Sequence, residues 1–145
     1  MNVLTFDTEE QIGIAAGYYM CGQVLQKPDS VLGLATGSTP LKPYAHMIKL
    51  YQDGAVDFSK VTTFNLDEYC NLDVKDKNSY HSFMYENLFD HINIPDENIN
   101  FLNGNAEDMD AECKAYEERI KKCGGIDIQL LGIGSNGHIA FNEPA

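Results

Sequence analysis

Apolar residues recur along this chain in two rhythms, one of helices and one of short buried strands. Ile12, Ala15, Ala16, Tyr19, Met20 and Val24 follow helical spacing, and Asp7 or Thr8 offers an N-cap before them. VLGLA at 31–35 is a short apolar run that fits a buried strand. It leads through TGST into Pro40, a residue favoured in a helix's first turn, so a second helix is expected from there to about Gln52. VTTFN at 61–65 is β-branched and aromatic and predicts another strand, followed by the polar loop LDEYCNLDVKDKN. Ser79 then caps a third helix with Tyr80, Phe83, Met84 and Leu88 on one face. A stretch dense in Asn, Asp, Gly and Pro follows, with one extended piece around Ile99 to Leu102. A fourth helix carries the stripe Met109, Cys113, Tyr116, Ile120 and Cys123 and stops at Gly124 and Gly125. IDIQLLGI is the last strand, and NVLTF at 2–6 is a candidate opening strand.

Strands alternating with helices imply an α/β, three-layer α/β/α fold of modified Rossmann type, with a mainly parallel sheet covered on both faces. Right-handed crossovers place all the strands' carboxyl ends on one edge, where ligands bind in such folds. ATGSTP, FNLDEY and GIGSNGHIAFNEP each come directly after a predicted strand. This topology gathers all three into one crevice.

A length of 145 residues suits one domain, or most of one. Ten basic against twenty-two acidic residues leave a formal charge of −12. That balance opposes binding to nucleic acid or to anionic membranes, so an anionic ligand must be captured by local groups. The N-terminus is acidic and carries no signal-peptide pattern, and no apolar run is long enough to span a bilayer, so a cytoplasmic protein is expected. Cys21, Cys70, Cys113 and Cys123 lack CxxC spacing and read as reduced thiols, with Cys113 and Cys123 on the buried stripe of the fourth helix.

Gly132, Gly134 and Gly137 spell GxGxxG after a strand, but His138 and Pro144 stand where a nucleotide-binding loop would open a helix. Close approach of backbone to a small ligand is the better reading. The turn of Thr36, Gly37, Ser38 and Thr39 before Pro40 suits a phosphate held by hydroxyls and a helix N-terminus; the plain alternative is an N-cap by Ser38 or Thr39. Lys42 either assists the anion or is a solvated surface lysine. Asp67 and Glu68 bring at least one carboxylate to the crevice as a general base, or else form a solvated acidic loop. His138 with Glu143 five residues later can move protons near neutral pH. Asp67, His138 and Glu143 supply only one imidazole, so no metal is expected, and His46, His81 and His91 receive no role.

LGLATGSTP, VTTFNLDEY, SYHSFMYENLFDHINIPDENINFLNGNA and GIGSNGHIAFNEP occur in that order. In order and spacing they resemble the bacterial glucosamine-6-phosphate deaminase family. The resemblance implies conversion of glucosamine 6-phosphate to fructose 6-phosphate and ammonia, without metal or organic cofactor. It implies that Asp67 moves the C2 proton, that His138 opens the sugar ring with Glu143 in support, and that the TGST turn with Gly134 and Gly137 forms part of the substrate and phosphate pocket. Asn136 matches a ring-opening position held by Asp in some members; an amide can hydrogen-bond but cannot stabilise an imidazolium by charge. Family members continue well past FNEP. The chain is therefore expected to be the N-terminal part of a single domain, with its last strand on an open edge that associates with another copy or with a missing C-terminal part. A 6-phosphogluconolactonase-like hydrolase and a non-catalytic sugar-phosphate-binding fragment are the rival readings.

Overall fold

Thr8 starts the first helix through a capping box, its hydroxyl accepting from Gln11 N while the Gln11 side chain accepts from Thr8 N. The structure, a computed structural model, describes residues 1–144. In chain order the elements are α1 (Glu9–Gln26), β1 (Val31–Leu34), α2 (Leu41–Gln52), β2 (Thr62–Asn65), α3 (Tyr80–Asn87), β3 (Ile99–Asn100), α4 (Met109–Lys122) and β4 (Ile128–Gln129).

The strands form one parallel sheet in the order β3-β2-β1-β4. Leu32 and Leu34 of β1 pack with Met20 and Val24 of α1, Tyr44 and Met47 of α2, and Met84 of α3, forming the main core. Val31 and Phe64 emerge on the opposite face, where Tyr116 of α4 meets the Phe64 ring edge-on at 5.5 Å. Helices thus cover both faces, as the alternating pattern requires. Each fully buried Leu, Met or Phe contributes about 1.5–3 kcal/mol of transfer free energy.

Four expectations need correction. Residues 2–6 form no strand, and Val3 and Leu4 are exposed; among the described residues no strand lies beside them. In α1, Ile12 and Tyr19 face solvent, and the buried stripe is Gly13, Gly17, Met20, Cys21 and Val24. Its two glycines are the reason: a Cβ at Gly17 would stand 2.8 Å from His46 Cβ, and one at Gly13 would overlap Lys42, so α1 closes on α2 where these two residues carry no side chain. In α4 only Tyr116 is buried, while Cys113 and Cys123 are exposed, because the helix leans on a narrow strip of sheet. The expected strand over 126–133 shrinks to Ile128–Gln129. Its ladder extends only from Asp127 N on Val31 O to Leu130 N on Gly33 O, although β1 runs on to Leu34, and no strand lies on its outer side among the described residues.

At the end of β1 the buried Tyr44 hydroxyl donates to Ala35 O and accepts from Ala35 N at 3.1 Å. This pins the point where the strand becomes the TGST turn.

Candidate active site

A crevice of about 380 Å³ opens at the carboxyl edge of the sheet, lined by Thr36, Gly37, Ser38 and Thr39 after β1, Asp67 after β2, and Gly134 and His138 after β4. Three loops that are far apart in sequence therefore meet in one place. Asn136, Gly137 and Glu143 do not line it; they stand behind His138.

The TGST turn leaves the Ser38 and Thr39 hydroxyls exposed toward a ligand. Pro40 is the N-cap of α2, and no side chain caps it among the described residues, while Ser38 and Thr39 are exposed. The capping alternative is thereby removed. Gly37 has φ of 96°, a left-handed conformation that glycine adopts without strain. Lys42 does not reach the turn; its Nζ lies 3.4 Å from Glu9 and 3.9 Å from Glu10 on α1.

The carboxylates of Asp67 and Glu68 separate in role. Glu68 Oε1 accepts from Tyr69 N at 2.8 Å and Tyr80 N at 2.9 Å, and its Oε2 accepts from His81 N at 2.9 Å. Asp67 is the one that lines the crevice. Burial, with the neighbouring Glu68 charge, pushes its carboxyl above the usual carboxylate range. A carboxylate so placed accepts a proton more readily than one in water.

His138 is held by the loop that carries it. Gly134 N donates to His138 O and Gly137 N to Gly134 O, each at 2.8 Å, and a Cβ at Gly134 would overlap the imidazole. Asn136 Oδ1 accepts from His138 N at 3.1 Å and lies 2.6 Å from Nδ1, while its Nδ2 donates to Glu143 Oε2 at 2.7 Å. All three contacts require the same amide orientation, and that orientation makes Nδ1 the protonated ring nitrogen. Nε2 is left as the proton acceptor. Ala140, at φ of 55°, turns the chain sharply between Ile139 and Asn142 and returns Phe141 onto Tyr69 and Tyr80, at ring distances of 5.4 and 5.9 Å.

Tyr80 is a lining residue that the sequence reading left on a helix face. Burial, with the Tyr69 hydroxyl 3.3 Å away, pushes its phenol well above the ordinary range, against an interaction with Thr36 that lowers it. It therefore stays a neutral donor. Among the described residues no group of three or more His, Cys, Asp or Glu is gathered to hold a metal ion, and no helix is long and apolar enough to cross a membrane.

Residues 20–141 match the family described as glucosamine-6-phosphate isomerases/6-phosphogluconolactonase. The chain belongs to that family. Among relatives, the glucosamine-6-phosphate deaminase of Thermoanaerobacter sp. (strain X514) is 54% identical over 99% of this chain and 57% of its own length. That of Clostridium botulinum (strain Loch Maree / Type A3) is 51% identical over 99% of this chain and 59% of its own. A monomeric glucosamine-6-phosphate deaminase of known structure superposes with a TM-score of 0.95 at 46% identity, over 99% of this chain and 60% of its own. The 6-phosphogluconolactonase of Thermotoga maritima shares the fold at a TM-score of 0.75 and 23% identity, over 96% of this chain and 62% of its own. The chain thus spans a little over half the length of the curated relatives it matches.

Proposed function

We propose that this chain is the N-terminal part of a glucosamine-6-phosphate deaminase domain, which converts glucosamine 6-phosphate and water to fructose 6-phosphate and ammonia. The observation that carries the reading is the meeting of Asp67, His138 and the uncapped TGST turn in one crevice. Identity above one half to deaminases supports it over the lactonases, whose likeness extends to the fold.

The chemistry follows from the groups present. Ser38 and Thr39, with the backbone of the turn, hold the sugar phosphate. Ring opening breaks the C1–O5 bond, moving a proton from the C1 hydroxyl to O5, and His138 carries that proton through Nε2. Glu143 supports the imidazole through Asn136. Asp67 then takes the proton from C2 and returns it to C1 while a second proton passes from the amine to O1, so that C1 becomes a hydroxymethyl group and C2 an imine that water cleaves to ketone and ammonia. A half-buried carboxylate with a raised proton affinity suits that transfer. None of these steps needs a metal or an organic cofactor.

The same proposal includes a cytoplasmic location and association through the open edge beside β4, where Leu131 and Ile133 are exposed. The partner is another copy or the further portion found in longer relatives. Sedimentation across a wide concentration range tests this; a strictly monomeric chain that also ignores the separate C-terminal portion of a relative contradicts it.

The activity is tested on the chain alone and on the chain continued with the remaining residues of the Thermoanaerobacter deaminase. Each is offered glucosamine 6-phosphate and, separately, 6-phosphogluconolactone. Consumption of the amino sugar with ammonia release supports the proposal. Lactone hydrolysis alone, or binding without turnover in both proteins, overturns it.

A further inference from the structure

The carboxylate of Glu68 reaches across the eleven residues 69–79 to the first turn of α3. Tyr80 and His81 are the first two residues of that helix, and Ser79 Oγ already accepts from Ser82 N at 3.0 Å. Glu68 and Ser79 thus satisfy three N–H groups that a helix start leaves without partners. Placing a negative charge at this end also favours the helix dipole. Glu68 is half-buried, and every bond it accepts is to backbone.

The consequence falls on its chain neighbour. Leu66 N is fixed to Leu34 O of β1 at 3.0 Å, so Asp67 stands between one anchor on the sheet and a second on α3. The Tyr80 N–H held by Glu68 belongs to the residue that forms another wall of the crevice. A single carboxylate therefore sets the distance between Asp67 and Tyr80.

We propose that Glu68 is a positioning residue, which acts through Asp67 and Tyr80 by tying the end of β2 to the start of α3 and does not touch substrate. The role assigned to Asp67 rests on the function proposed above; the clamp itself does not. Charged and titratable groups around Asp67 are Glu68 beside it, Tyr80 from α3, Tyr116 from α4 and His138 across the crevice. Those near Glu68 are Asp67 and His81. Removing Glu68's charge lowers the pH at which Asp67 titrates, and loosening the loop into water lowers it as well.

Glu68→Gln offers the clamp an amide whose NH2 must face at least one backbone N–H, so at least one of the three bonds is lost. Carbon-13 NMR of the Asp67 carboxyl against pH, in the chain itself, reads the result without any turnover. The expected outcome is a lower Asp67 midpoint in Glu68→Gln and an unchanged one in Ser79→Ala, which weakens α3 through its other cap. Because loss of charge alone lowers the midpoint in Glu68→Gln, Glu68→Asp decides the clamp: it keeps the charge but loses the reach, and it should lower the midpoint by exposure. In the continued protein, kcat should fall about 10–100-fold with KM within about threefold, the size expected when a reacting group is misplaced. An Asp67 midpoint unmoved by a folded Glu68 variant, an equal shift in Ser79→Ala, or an effect on KM alone overturns the proposal. Absence of amino-sugar turnover in the unmutated continued protein would count against the function proposed above and leave the NMR comparison to decide the clamp.

Discussion

Asn136 joins His138 to Glu143 through the two ends of one amide, with Oδ1 2.6 Å from the imidazole Nδ1 and Nδ2 donating to the carboxylate at 2.7 Å. Removing the amide in Asn136→Ala should release the ring and lower kcat about 100-fold, as loss of a positioned proton carrier does. Asn136→Asp keeps the acceptor for His138 but sets a second carboxylate against Glu143. Repulsion between the two carboxylates should loosen the tie to Glu143 and lower kcat less than Asn136→Ala does. A pH–rate profile of the three proteins checks both outcomes; identical profiles contradict them.

Gly134 gives a sharper steric test. Gly134→Ala places a methyl against the His138 ring, which must leave its contact with Asn136, whereas Gly22→Ala, on α1 away from the crevice, meets nothing within 4 Å. The first should lose roughly 100-fold in turnover at unchanged melting temperature, and the second should lose little. Equal activity in both would show that His138 is not fixed by this loop.

Asp67 carries the pH prediction. Its carboxyl is raised by burial and by Glu68, so the basic form is lost while pH is still above the usual carboxylate range, and the acid limb of kcat/KM should lie there. The stability sign follows. A raised folded-state value favours the folded protein below the unfolded value, and that contribution is lost as pH rises through the folded one. At neutral pH the charged Asp67 is therefore a cost. Asp67→Asn should abolish turnover, losing at least about 100-fold, yet raise the melting temperature near pH 7, with the gain vanishing in acid. A lower melting temperature at pH 7 would contradict the burial argument.

Tyr44→Phe tests how the TGST turn is anchored. Without the hydroxyl, the N–H and C=O of buried Ala35 lose their partner, a cost of about 1–3 kcal/mol. The melting temperature should drop by several degrees. A change within error would mean that the turn is held by other contacts.

Much of this was legible from residue patterns because the physics is local. VLGLA and VTTFN are apolar and β-branched where buried parallel strands need them, and each runs into a loop that topology must carry to the same edge. Ser79 before an apolar stripe, and Gly124 after one, mark helix ends for reasons contained within a turn of chain. Other features depend on distant partners. Neither Asp67 nor Glu68 declares its role until α3 arrives with its free N–H groups, twelve and thirteen residues on. Tyr80 enters the crevice at the start of α3, packed on Tyr69 and Phe141, which lie far from it in sequence. The true inner face of α1 was hidden because glycines form it, and a reading of apolar spacing gives them no weight. In β4, apolar character promised eight residues of strand, but only Ile128 and Gln129 pair, opposite Leu32 and Gly33 of β1, and no further strand lies outside them among the described residues.

The central claim is tested most directly by following ammonia and fructose 6-phosphate together as the continued protein consumes glucosamine 6-phosphate, with Asp67→Asn as the control. The two products should appear in equal amounts from the unmutated protein and not at all from the control. Ammonia without fructose 6-phosphate, or both products undiminished in Asp67→Asn, would contradict it.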